Sequence, residues 1–284
     1  MTDAAQAVDT FHEAAAQNRD DPLRDGSLLR FPDYGQVVMT GDLHGHRRNF
    51  AKLQKYCDLD HAGARHVMLH EVIHEEVETL HGQDTSHEVL LDAARWKCAF
   101  PDQVHFLQSN HELAQFNGHE NTKHGRIVTA DFDASVRRAY GPQGDRVTDA
   151  IRTFIRSLPL AGRTANGVFL SHSLPSPRAL PSFDVTVFSR EPDDADLADG
   201  GAAYQLVWGR YHTDAALECL SDLLDAAFFV CGHQPQDTGY DVVHDRMVIL
   251  ASDHNHGVFL PIDLAKPVTL ERLTSRIRPF AGVA

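Results

Sequence analysis

Positive charge, long apolar runs and paired cysteines are all scarce in this sequence. Lys and Arg number 26 against 40 Asp and Glu, a formal net charge of −14. Non-specific nucleic-acid binding and docking on anionic lipid both require basic patches, so neither partner is expected. No apolar run approaches the roughly 20 residues that a membrane-spanning helix needs. Cys57, Cys98, Cys219 and Cys231 stand far apart with no C-x-x-C pair. A zinc ribbon therefore has no ligands, and a disulfide framework is not expected in a chain of 284 residues. The opening stretch MTDAAQAVDTFHEAAAQNRDD is acidic and carries no apolar signal core. These absences lead to the expectation of a soluble, cytoplasmic protein with reduced thiols.

What is present is a substantial core and an excess of imidazole. The chain is 42% hydrophobic and holds 19 histidines. Histidine is the commonest metal ligand, and the excess points toward metal chemistry, although most of the nineteen read as surface residues. Short, β-branched apolar runs recur at QVVMT (36–40), RHVML (65–69), QVHFLQ (103–108), GVFLS (167–171), AFFVCG (227–232), MVIL (247–250) and GVFLPIDL (257–264). Runs of that kind suit strands buried on both faces. Helical segments lie between them, among them NFAKLQKYC, HEVLLDAARWKCAF and DAALECLSDLLDAAF, where Leu217, Leu220 and Leu224 share one stripe. Alternating strands and helices predict an α/β fold. Residues 1–30 read as a short helix and polar connector, and 31–284 as one domain. Residues 174–203, rich in Pro, Asp and Gly, read as a lid or surface excursion.

The chemistry clusters where the runs end. VVMT leads into Asp42 and His44, VHFLQ into Asn110 and His111, VFLS into His172, and FFVC into His233. Open α/β sheets place ligands at the carboxyl ends of their strands, so this repetition predicts one shared site. HVML leads into His70-Glu71-Val72-Ile73-His74, which matches the H-E-x-x-H signature of zinc peptidases. Leu69, Val72, Ile73 and Leu80 would suit one face of such a helix. A strand-like run feeding straight into the motif argues against that alternative.

The order GDLHGH, LHEVIHE, SNHE, His172 and His233 resembles the phosphoprotein phosphatases among the calcineurin-like metallophosphoesterases. The likeness runs over roughly residues 36–264. It includes the helix and strand leading to SNHE, the Leu-Pro segment of FIRSLPLAGRTANGVFLSH, and the stretches LVWGR, CGHQPQDTGY and ILASDHNHGVFLPIDL. The resemblance implies a two-sheet α/β sandwich flanked by helices. It also implies two divalent metal ions (Mn, Fe or Zn) that activate a bridging hydroxide for attack on a phosphate ester. Asp42 and His44 would hold the first ion. Asn110, His172 and His233 would hold the second, and Glu71 would bridge both. His111 would be the general acid, oriented by His74, and Arg210 would grip phosphate. Arg47 and His254 would contact substrate. The implied substrate is phosphorylated: a phosphoprotein, a nucleotide or a small phosphoester.

The opening motif departs from that family. His70 stands for a glycine, Glu71 for the bridging aspartate, His74 for the aspartate that orients the general acid, and Glu75 for a phosphate-gripping arginine. Glu75 is expected to reverse charge where phosphate docks. A pseudophosphatase or metal-binding module is therefore the alternative to an active enzyme.

Overall fold

The computed structural model describes residues 3–75, 83–123 and 125–283. Each apolar run forms a strand: Gln36–Thr40, Arg65–Leu69, Val104–Phe106, Val168–Ser171, Phe228–Cys231, Met247–Leu250 and Val258–Asp263. Among the described residues they belong to two large mixed sheets. The first runs, in spatial order, Arg24–Asp25, Leu28–Phe31, Ala161–Thr164, Val168–Ser171, Phe228–Cys231, Met247–Leu250 and Tyr240–Val243. The second runs Arg278–Pro279, Val258–Asp263, Gln36–Thr40, Arg65–Leu69 and Val104–Phe106. The strands that lead toward the site residues pair in parallel within each sheet.

Side chains alternate along each strand between two buried environments, because successive residues point to opposite faces. Met68, Val168, Leu170, Val230 and Val248 meet in the apolar interior between the sheets. Their neighbours Val67 and Leu69 face one outer layer of helices, and Phe169, Phe229 and Cys231 face the other. Both faces are covered, which is why the runs are apolar without a polar alternation. The architecture is the two-sheet α/β sandwich with flanking helices that the sequence led us to expect.

One outer layer contains α1 (Ala4–Arg19), α2 (Arg47–Cys57), α3 (Ser86–Ala99), α5 (Val128–Tyr140) and α6 (Gly144–Arg156), while α4 (Asn110–Asn117) buries Leu113 in the opposite cluster. The apolar face of α1 buries Ala7, Phe11, Ala14 and Ala15, and Phe11 packs on Phe154 of α6 with ring centroids 5.8 Å apart. Leu217, Leu220 and Leu224 lie buried along the helix Asp214–Leu224, as their spacing requires. Three features were not visible in the run pattern. The polar connector contributes the strand Arg24–Asp25, Ala161–Thr164 pairs in parallel with Leu28–Phe31, and Tyr240–Val243 forms an edge. The loop-like stretch 174–203 has no long element, but Val187, Phe188 and Leu197 anchor it in the core.

The H-E-x-x-H stretch is not helical. Residues 70–75 form an irregular loop after the strand Arg65–Leu69, with Glu71 and His74 at φ of 46° and 63°. Those left-handed values break any run of right-handed helix. Leu80, part of the expected helix face, lies outside the described residues.

Candidate metal centre

The carboxyl ends of strands from both sheets meet at one rim. Asp42 forms a parallel bridge with Ala251, Gly41 N donates to Ser252 Oγ (2.9 Å), and Ser252 N donates to the Asp42 carbonyl (3.1 Å). The loop after Gln36–Thr40 is tied to the loop after Arg65–Leu69 by backbone. Leu43 N and His44 N donate to the Glu71 carbonyl at 2.9 and 2.8 Å, and Gly45 N donates to the Val72 carbonyl at 2.7 Å. Glu112 holds the second loop from below, accepting from Val72 N (2.8 Å), Ile73 N (3.3 Å) and Ser109 Oγ. Burial, aided by the Glu71 carboxylate, pushes the Glu112 carboxyl up to about 7.

This scaffold forces unusual backbone. His44, Glu71, His74 and His233 all have positive φ (42°, 46°, 63° and 69°). Non-glycine residues rarely adopt such values, and their concentration among the site residues marks a place where side-chain aim outranks local comfort.

The result is a tight nest of donor atoms. His172 Nε2 lies 2.6 Å from Asn110 Oδ1, 3.1 Å from His233 Nδ1 and 3.1 Å from Glu71 Oε2. Asn110 Oδ1 lies 2.9 Å from His233 Nδ1. On the other side, Glu71 Oε1 is 3.2 Å from His44 Nε2 and 3.9 Å from His111 Nε2. The two oxygens of one carboxylate thus face two groups of histidines. Asp42 accepts the His233 backbone N–H at 2.9 Å, and its Oδ1 lies 3.4 Å from His70 Nδ1. Among the described residues, ligand atoms fall into two trios, Asp42–His70–His172 and His44–Glu71–His111. Asp42 therefore groups with His172 more closely than the resemblance implies.

The donor set fits a divalent cation. Among the described residues, Glu71 Oε2 is buried with no hydrogen-bond partner. Atoms of acceptor type crowded this closely repel unless positive charge sits among them. The histidines are poised as ligands rather than as cations. Burial drives His172 well below its ordinary value, His233 down to about 3 and His70 to about 4. His44 Nδ1 lies 3.0 Å from the Ile73 carbonyl, which fixes its proton there and turns the Nε2 lone pair toward Glu71. Burial, then the Glu71 charge, pushes the Asp42 carboxyl well above the usual carboxylate range, and a divalent cation would restore its ionised form.

A cavity of about 830 Å³ opens over the nest. It is lined by Asp42, His44, Glu71, Asn110, His111 and His233, together with Trp208, Arg210 and His254. The structure therefore gathers the expected residues, with His172 buried beneath them and His74 behind His111. Arg47 and Glu75 do not join the cavity lining. Arg47 pairs with Glu88 and Asp92 of α3 on the surface. Glu75 Oε2 accepts from Thr85 N (2.9 Å) and Thr85 Oγ1 (2.7 Å), at the amino end of α3, where unpaired N–H groups attract a carboxylate. The expected charge reversal at the docking point is thus redirected into a helix cap.

Within the phosphatase resemblance His70 stands only for a glycine, yet its ring stands inside the nest. The signal was present, because His70 follows an apolar run as the other donors do. Gly232 makes room for it: a Cβ there would lie 2.5 Å from His70 Cε1 and 2.2 Å from Asp42 Oδ1.

No protein-family model matches the sequence, and no curated protein matches it. The fold has clear counterparts among solved structures. A protein serine/threonine phosphatase from Saccharomyces cerevisiae with similarity to human phosphatase PP5 superposes with a TM-score of 0.68 at 14% identity, covering 93% of this chain and 84% of that one. A cold-active protein-tyrosine phosphatase of a psychrophilic Shewanella species gives a TM-score of 0.59 at 16% identity, covering 92% and 82%.

Proposed function

We propose that this chain, whose fold is that of the calcineurin-like metallophosphoesterases, is a metal-dependent phosphoesterase. The observation that carries the reading is Glu71, whose two buried oxygens face separate histidine groups at 3.2 and 3.1 Å. Asp42, His44 and Glu71 would hold one divalent ion and Asn110, His172 and His233, with Glu71, another, Asp42 standing close to the His172 side of the nest; the mixed nitrogen and oxygen donors suit Mn, Fe or Zn. When bound, such a pair supplies Lewis acidity at phosphorus and a water acidified enough to attack near neutral pH.

The protein's own groups complete the reaction. Water adds to phosphorus as the ester P–O bond breaks, and His111 gives its proton to the departing oxygen, so the leaving group departs as an alcohol. The proton released by the water restores His111 over the cycle. Arg210, in the cavity wall, neutralises non-bridging phosphate oxygens, and His254, in the same lining, contacts the substrate. A phosphoprotein, a nucleotide or a small phosphoester each fits that chemistry.

One observation favours a binding role instead. With Glu75 turned into a helix cap, Arg210 is the one Lys or Arg among the described residues lining the cavity. Metal analysis combined with hydrolysis of p-nitrophenyl phosphate under added Mn²⁺ separates the readings. Turnover abolished by Asp42→Ala supports the enzyme. Bound metal without turnover of mono- or diester leaves a metal-binding module.

A further inference from the structure

The candidate general acid does not end at its histidine partner. His111 Nδ1 lies 2.8 Å from His74 Nδ1, His74 Nε2 lies 2.9 Å from Gln115 Oε1, and Gln115 Nε2 donates to Asp133 Oδ1 at 2.8 Å. Gln115 sits four residues after His111 on α4, so both side chains leave the same helix face. Asp133 comes from α5. His74 and Gln115 are buried, at 0% and 2% exposure, and Asp133 is half-buried.

With a neutral His74, one arrangement of protons satisfies this row. An amide nitrogen donates and an ionised carboxylate accepts, so Gln115 must point its NH₂ at Asp133 and its oxygen at His74. The reverse amide orientation would set two acceptors, the amide oxygen and the Asp133 carboxylate, face to face. The Gln115 oxygen then requires a proton on His74 Nε2. A neutral His74 has no second proton, so its Nδ1 accepts from His111 Nδ1–H. His111 is thereby held with Nδ1 engaged and Nε2 turned toward Glu71, 3.9 Å away.

We propose that Gln115 and Asp133 are positioning residues that fix the tautomer of His74 and, by holding the His111 Nδ1–H against it, make Nε2 the nitrogen from which a His111 imidazolium gives its proton to the leaving oxygen. The assignment rests on the phosphoesterase reading for its catalytic meaning, but the proton row itself does not. It supplies by hydrogen bonding what a directly charged partner of His111 would supply by Coulomb attraction: orientation, with the negative charge moved two side chains away.

The test has two independent arms. In long-range proton–nitrogen NMR of the ring nitrogens, with metal-loaded protein, wild-type His74 is expected as the Nε2–H tautomer, and Gln115→Met is expected to lose that preference. A His74 ring protonated on Nδ1 in the wild type, or unchanged by Gln115→Met, overturns the proposal whether or not the protein is active. In the second arm, aryl phosphates of rising leaving-group pKa are compared. A mispositioned acid hurts poor leaving groups most, so Gln115→Met should lower kcat for phenyl phosphate about tenfold more than for p-nitrophenyl phosphate, with KM little changed. The double swap Gln115→Glu with Asp133→Asn keeps an acceptor toward His74 and a donor toward position 115, and is expected to recover most of the loss. Equal losses on both substrates, or no recovery, overturn the proposal. If wild type hydrolyses neither ester, the phosphoesterase reading fails while the NMR arm still decides the proton row.

Discussion

His70 Nδ1 lies 3.0 Å from His172 Nδ1, while His70 Nε2 reaches the Thr40 carbonyl at 2.8 Å. The carbonyl fixes the His70 proton on Nε2, so its Nδ1 accepts from His172 Nδ1–H and leaves the His172 Nε2 lone pair facing Asn110, His233 and Glu71. Loss of such outer support typically weakens a metal site about 10–100-fold. His70→Ala is therefore expected to lower metal affinity by that order, read by competition with a chelating indicator. Unchanged affinity would show that His172 keeps its orientation unaided.

Glu75 should behave as a cap and not as a phosphate ligand. Glu75→Ala removes the acceptor for Thr85 N and Oγ1 and is expected to cost about 1 kcal/mol, a Tm drop of about 2–4 °C. Inhibition by inorganic phosphate should stay within about twofold, because surface changes outside the cavity rarely move more than ~0.5 kcal/mol. A large change in phosphate inhibition would place the carboxylate in the cavity.

The two arginines should separate cleanly. Arg210 lines the cavity, and Arg47 is tied to Glu88 and Asp92 outside it. Arg210→Ala is expected to weaken phosphate inhibition by about 1.5–3 kcal/mol, roughly ten- to a hundredfold. Arg47→Ala should leave it nearly unchanged, since exposed ion pairs contribute about 0–1 kcal/mol and only to stability. Equal effects of the two variants would undo the placement.

Far from the site, Asp21 Oδ2 accepts from Lys97 Nζ (3.0 Å) and His105 Nδ1 (2.7 Å), and His105 Nε2 meets His66 Nδ1 at 3.1 Å. Lys97 and Asp21 are 0% and 6% exposed, so Lys97→Met leaves a buried carboxylate without its lysine partner and should cost about 3–5 kcal/mol in urea unfolding. Acid should act on the same network. Burial, then the His105 charge, lowers His66 to about 4, and burial lowers His105 as well. Between the unfolded value of about 6.5 and about 4 the unfolded chain binds more protons, so stability falls as pH drops through that window. His66→Gln, compared with wild type at saturating metal, should flatten that acid-side slope; an unchanged slope would assign it elsewhere.

Much of this protein was legible before folding. Local chemistry announces itself locally, so the apolar runs marked the strands. The residues that follow those runs marked the donors, because a strand delivers its next residues to the sheet edge regardless of distant contacts. The Ala161–Thr164 strand was missed because AGRT has almost no apolar signal of its own; its place comes from pairing with Leu28–Phe31. The same holds for Glu75, whose role depends on where the start of α3 arrives.

Sequence alone determined which side chains the strand ends carry, since composition and spacing are local properties. The tertiary structure alone decided which way each proton points. A histidine's tautomer is set by whatever stands beyond its second nitrogen: for His70 the carbonyl of Thr40, thirty residues earlier, and for His74 an amide forty-one residues later. Those partners share no local pattern and meet only because the sandwich closes over them.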